Sequence, residues 1–304
     1  MLRRSAAFIA LCGAFFALPQ LANAAPTPVA AWYMYGTTLS GLQSNAYSHG
    51  CSFAQHHPGG TRVMMLDFGA ARKIDSNTWG ALDFSGVRFS NPDILSALKS
   101  AADGHHNCWT GTGDTTIAYG NSNYNISAVG MTTDDAWWAG YYQSQRSLDL
   151  FNYQQSKGYN HQSSDAGSDM ELSWAGQLIT KQLVNGDTAQ GWAIYYDYGD
   201  AAGCPSSGSS GSCNNGWTVG DVGYVSYHGL AVPLPEIYYT VNADQWTVVR
   251  RWWNNNNGAG TYQFWGTTGE ISSASGHLTP AEGWNALSSR NPGMLANELV
   301  CFGC

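Results

Sequence analysis

Two acids, Asp169 and Glu171, close a short alternating run that begins at Ala166. On a strand, positions i and i+2 face the same side, so both carboxyl groups would point one way. Two carboxylates so placed cannot both ionise freely. The charge of one raises the pKa of the other, and a neighbour such as Trp174 adds desolvation. A proton donor beside a carboxylate is the pairing that cleaves a glycosidic bond. Two more acids end apolar runs: Asp67 follows Val63-Met64-Met65-Leu66, and Asp197 follows Ala193-Ile194-Tyr195-Tyr196. The candidate catalytic set is therefore Glu171, Asp169, Asp67 and Asp197. Trp174, Tyr35, Tyr119, Tyr196, Tyr239 and Trp265 are the candidate sugar-binding rings, because sugar faces stack on aromatic surfaces. The competing reading makes the acids helix caps and strand-end anchors. Glu236 precedes Ile237-Tyr238-Tyr239, which places it at a strand's start and predicts a structural role.

Such acids act together only if a fold gathers strand ends. Eight apolar or alternating runs appear, at 29–35, 62–67, 115–119, 166–171, 192–197, 222–226, 235–240 and 261–265. Helical patterns fall between several of them, at 91–102 (with Asn91 as cap and Pro92 at the first helical position), 134–157, 174–183 and 243–253, and a closing one at 280–287. Alternating strands and helices imply parallel pairing with right-handed crossovers. The number and size match an α/β chain folded as an irregular (β/α)8 TIM-like barrel, a single domain over residues 25–304. The irregularity lies between the sixth and seventh runs, where residues 229–234 leave no room for a helix. Stretches 36–61 and 203–219 read as loop insertions. An open doubly wound sheet is the alternative.

Family resemblance points the same way. Ser168-Asp169-Met170-Glu171 resembles the Asp-x-Glu strand end of glycoside hydrolase family 25, the secreted lysozyme-type muramidases. Val232-Pro233-Leu234-Pro235-Glu236-Ile237-Tyr238-Tyr239, followed by Asn242 and Trp246, resembles that superfamily's strand with a tyrosine and a following helix tryptophan. Tyr262-Gln263-Phe264-Trp265 is similar to its last strand. The chain as a whole is more similar to an uncharacterised secreted group with a glycosidase-like barrel than to a true muramidase. The resemblance implies a barrel with an irregular end, Glu171 as proton donor and Asp169 assisting. It also exposes a difference: the first strand, Ala30-Ala31-Trp32-Tyr33-Met34-Tyr35, lacks the family's aspartate, so Asp67 or Asp197 would stand in.

Composition narrows the partners. Charged residues make up 11% of the chain, aromatics 13%, and the net charge is -8. With 13 Lys and Arg in 304 residues there is no basic stripe for nucleic acid or anionic membrane. A polysaccharide or cell-wall glycan is the expected partner, met by a monomer. Residues 1–24 read as a signal peptide: Arg3 and Arg4, an apolar run ended by Pro19, then Ala22-Asn23-Ala24. Secretion leaves Cys51, Cys108, Cys204, Cys213, Cys301 and Cys304, an even set that reads as disulfides, with 51–108, 204–213 and a terminal 301–304 staple expected. The pairs His56-His57 and His105-His106 diverge in direction, and no spaced Cys/His set occurs, so no metal and no cofactor are expected. There is no nucleophile elbow or phosphate-binding glycine loop.

Overall fold

The computed structural model describes residues 24–257, 263–271 and 276–304. The expected signal peptide lies outside the described residues but for Ala24. In chain order the elements are β1 (Val29–Tyr33), α1 (Leu39–His56), β2 (Thr61–Asp75), β3 (Thr78–Leu82), β4 (Arg88–Ser90), α2 (Asn91–Cys108), β5 (Asp114–Ser122), α3 (Thr133–Lys157) and β6 (Gln162–Asp169). There follow α4 (Gln177–Gln190), β7 (Tyr195–Asp197), α5 (Val219–Tyr227), β8 (Ala231–Pro233), α6 (Thr240–Asn256), β9 (Phe264–Glu270), α7 (Pro280–Arg290) and β10 (Leu295–Phe302).

Eight strands run parallel in the order β8-β7-β6-β5-β2-β1-β10-β9, with the helices outside. The cylinder is closed, nearly, by a single bridge between Glu236 and Thr268. Thr268 N–H donates to the Pro235 carbonyl at 2.9 Å and Ile237 N–H to the Thr268 carbonyl at 3.2 Å. The chain is thus a single-domain α/β protein with a (β/α)8 TIM-like barrel. β2 runs on past the barrel rim and folds back through β3 and β4 as an antiparallel extension.

Helix starts are set by local chemistry. Ser90, Thr132, Thr218 and Thr279 each form a capping box with the acid three residues on. Ser90, not Asn91, caps α2; Asn91 is its first residue and accepts a hydrogen bond from the Tyr119 hydroxyl at 2.9 Å. The run at 222–226 is helix α5 and not a strand: Val219, Val222 and Val225 recur three apart and the Thr218–Asp221 box fixes the start. The stretch 36–61 contains α1, not an insertion loop. Its glycine hides a close-packed helix, since a Cβ on Gly50 would sit 2.0 Å from the Ala101 carbonyl of α2. The 235–240 run is displaced: the strand is β8, so Pro235 and Glu236 lie past its end. Residues 258–262 lie outside the described residues, and the strand expected from 261 is seen from Phe264. The sequence patterns carry no sign of β3, β4 and β10.

All three disulfides form as expected: Cys51–Cys108, Cys204–Cys213 and Cys301–Cys304. The first ties α1 to the end of α2, and the second pins the loop before α5. No helix among the described residues is long and apolar enough to cross a membrane. Three disulfides fit an extracellular protein.

Candidate active site

The carboxyl ends of the strands deliver acids to one mouth. Asp67 ends the barrel part of β2, Asp169 ends β6, and Glu171 follows it. Asp200 lies just past β7, Glu236 just past β8, and Glu270 ends β9. One carboxylate oxygen from each of Asp169, Glu171 and Glu236 lies within 4.8 Å of the others. None of the four ion pairs among the described residues reaches this group.

Neighbouring side chains fix each acid. Asn123, past the end of β5, is fully buried and grips the main chain of Glu171. Its Oδ1 accepts the Glu171 N–H at 3.1 Å and its Nδ2 donates to the Glu171 carbonyl at 3.0 Å. Asp67 Oδ1 accepts the Gly69 N–H at 2.7 Å. The Tyr238 hydroxyl donates to Glu236, and the Tyr33 hydroxyl to Glu270. Asp169 Oδ1 is buried with no hydrogen-bond partner. Gln143 of α3 ties β5 to β6 behind the mouth, donating to the Tyr119 and Gly167 carbonyls at 2.8 and 2.7 Å.

Crowded, buried and uncompensated, Asp67, Asp169, Glu171, Asp200 and Glu236 bind their protons more tightly than free carboxyl groups. Burial pushes Asp67 and Glu171 each up to about 7, and the charge of Asp200 adds to the effect at Glu171. Burial, then Glu236 and Glu171, pushes Asp169 well above the usual carboxylate range. Burial also raises Glu236 well above that range, while the Tyr238 hydroxyl bond acts the other way by favouring its charged form. The mouth therefore pairs a half-buried acid that titrates near neutrality with deeper acids, which is the electrostatic setting of acid–base chemistry.

A cavity of about 320 Å³ opens beside them, lined by Asp67, Asp169, Phe84, Tyr124 and Trp174 among others. Tyr124 and Trp174 meet edge to face at 5.3 Å, while Tyr35, Phe84, Tyr124 and Tyr239 are exposed. Ring faces open to solvent around a polar centre suit a sugar.

Of the predicted residues, Asp169, Glu171, Asp67 and Trp174 come together, and Tyr35 and Tyr239 stand exposed past the ends of β1 and β8. Asp197 does not join. It points outward, taking a hydrogen bond from Ser226 of α5 at 2.5 Å, and holds strand to helix. Tyr119 also faces outward, against Phe68 and Asn91. Tyr196 is sealed inside the barrel on Asp165, at 3.1 Å. Trp265 sits at the start of β9, the opposite end of the barrel from the mouth. Asp197 and Tyr119 depart because a strand-end position fixes height but not which face a side chain takes, whereas Tyr196 faces inward but is committed to Asp165 and Trp265 lies at the wrong end of its strand. Glu236, read from sequence as structural, belongs to the mouth. The signal that could have found it is the short apolar run Ala231-Val232-Pro233 after Gly229, which makes Glu236 follow a strand.

The three clustered oxygens are also close enough together to ligate a hard cation such as Ca²⁺ or Mg²⁺, the one such set found among the described residues. The histidines form no such set. His105 is buried with Nδ1 3.2 Å from Gln162 Nε2, and it stacks with Trp109.

Fold and site together define a (β/α)8-type barrel with an acidic, aromatic-rimmed mouth. Comparison with known proteins finds no matching family model, no matching curated protein and no matching solved structure.

Proposed function

We propose that this protein is a secreted glycoside hydrolase acting on an extracellular or cell-wall polysaccharide. The observation that carries the reading is the convergence of Asp169, Glu171 and Glu236 within 4.8 Å beside exposed aromatic rings. Glu171, the least buried of the three, protonates the leaving oxygen. Glu236 acts once it has given up its proton, the form that the Tyr238 hydroxyl bond favours against its burial, and that carboxylate then faces the positive charge that develops on the sugar. Asp169, raised most by its burial, keeps its proton and so adds no further negative charge beside the other two. The resemblance of Ser168–Glu171 to the muramidase strand end supports the same assignment, and three disulfides support export.

Release of reducing ends from cell-wall and plant glycans by wild type and Glu171→Gln tests the reading. Loss of release in the variant is expected; equal release by both removes Glu171 as the acid. One observation favours a second reading, a barrel that binds glycan without cutting it. β1 delivers Tyr33 to the mouth in place of an acid, and Tyr33 is committed to Glu270. Glycan binding by wild type without release would establish it.

A further inference from the structure

Past the mouth, the extension built from β2, β3 and β4 carries the opposite charge. Arg72 and Lys73 of β2 and Arg88 of β4 line a cavity of about 240 Å³, with Ile74, Asp75 and the 129–131 turn completing it. Only eleven Lys and Arg lie beyond Arg3 and Arg4, so three in one cavity is a concentration that the acidic chain shows nowhere in its mouth.

Arg72 is the unusual member. It is 2% exposed, yet it pairs with no carboxylate among the described residues. Its Nη1 donates to the Ala71 and Tyr124 carbonyls at 2.8 and 2.9 Å, and its Nε–H has no acceptor. A buried guanidinium without a counter-charge is costly. Arg88, exposed and of like sign, adds repulsion and not relief. Lys73 is held by Asp135 at 2.7 Å. Asp75, the acid in the lining, is turned to its own hairpin, accepting the Asn77 N–H at 3.0 Å. The cavity therefore has a surplus of positive charge, with an uncompensated guanidinium in its wall, the charge that attracts oxyanions.

We propose that this cavity is an oxyanion-binding site, taking a phosphate, sulfate or carboxylate group. Arg72 supplies the buried charge, and Arg88 closes on the anion from the exposed side. Two sources share this chemistry: a free inorganic anion, and an acidic substituent on a glycan lying along β2. The second rests on the glycan reading of the mouth. Arg72 is five residues from Asp67, roughly 16 Å along the strand at ~3.3 Å per residue. The two cavities also share a wall: Tyr124 faces the mouth with its ring and holds Arg72 with its carbonyl.

The test uses the full disulfide-bonded chain, wild type against Arg88→Glu, whose exposed position leaves folding intact, with Glu171→Gln as a second variant. Calorimetric titration with inorganic sulfate and phosphate is expected to show binding weakened at least tenfold by Arg88→Glu and unchanged by Glu171→Gln. Equal binding by wild type and Arg88→Glu, or none by wild type, overturns the site. A matched pair of oligosaccharides, one uronate-bearing and one with its carboxyls reduced, identifies the source. Preference for the acidic oligomer that Arg88→Glu abolishes assigns a glycan-borne group. Sulfate binding without that preference assigns a free anion, and sulfate binding with no glycan binding at all leaves the anion site standing while it removes the glycan reading.

Discussion

Asn123 holds Glu171 by both ends of its own residue, accepting from its N–H and donating to its carbonyl. Glu171 lies beyond the last paired residue of β6, so no ladder partner fixes it there. The clamp does what the sheet no longer does. Its spare donor bond, 3.1 Å to Thr180 Oγ1, anchors it in turn to α4.

Asn123→Ala is expected to leave these buried groups without partners, at about 1–3 kcal/mol of stability each in the worst case. Glycan turnover should fall further than Asn123→Asp reduces it, because the aspartate keeps the acceptor for Glu171 N–H. Denaturant unfolding and initial rates on the same preparations check both.

Stability should fall as pH rises. Burial pushes Asp67 and Glu171 up to about 7 and fully buried Asp187 of α4 up to about 8. A carboxyl with a folded pKa above its unfolded value binds its proton more tightly when folded. Its stabilising effect is complete below about pH 4 and is lost as pH passes the folded value. Each tenfold difference in proton affinity between the folded and unfolded chain is worth about 1.4 kcal/mol. The melting temperature should drop between pH 5 and pH 8.5, and Asp187→Asn should flatten the slope. A melting temperature that rises over this range would contradict the buried, uncompensated acids.

Mn²⁺ in millimolar excess should compete with protons for Asp169, Glu171 and Glu236. Above pH 7 we expect a higher melting temperature and slower glycan turnover, and both effects should vanish in Glu236→Gln. A thermal scan that ignores Mn²⁺ in wild type argues that protons alone balance the mouth.

The disulfides should differ in worth. Cys51–Cys108 closes 57 residues and Cys204–Cys213 closes 9. Loop entropy alone makes the first worth about 4 kcal/mol and the second about 3. Paired Cys→Ala variants, compared by denaturant midpoint, give the order.

The barrel was legible in the sequence because strands buried on both faces leave short apolar runs, and α2, α3, α6 and α7 carry plain starts or stops. Asp67, Asp169 and Glu171 were legible as strand-end acids for the same reason. α1 was hidden by the small residues that let it approach α2, and α5 by valines that suit either state. The position of Glu236 depended on where β8 ends, which its three residues could not announce. Facing was the other loss: Asp197 and Tyr119 sit at the right heights, and only the register of the neighbouring strands decides that they turn toward helices.

The closing bridge between Glu236 and Thr268 has a mechanical meaning. Every other junction of the cylinder is a ladder of paired residues, while this one is a single rung. Breathing motions follow the least protected pairs, so the cylinder's compliance is concentrated at that seam. The rung itself is a mouth acid. Widening the seam changes the gap between Glu236 and Glu270, the mouth acids on its two sides, while Glu171 stays on the same side as Glu236; carboxylate spacing across the seam is the soft coordinate of this fold.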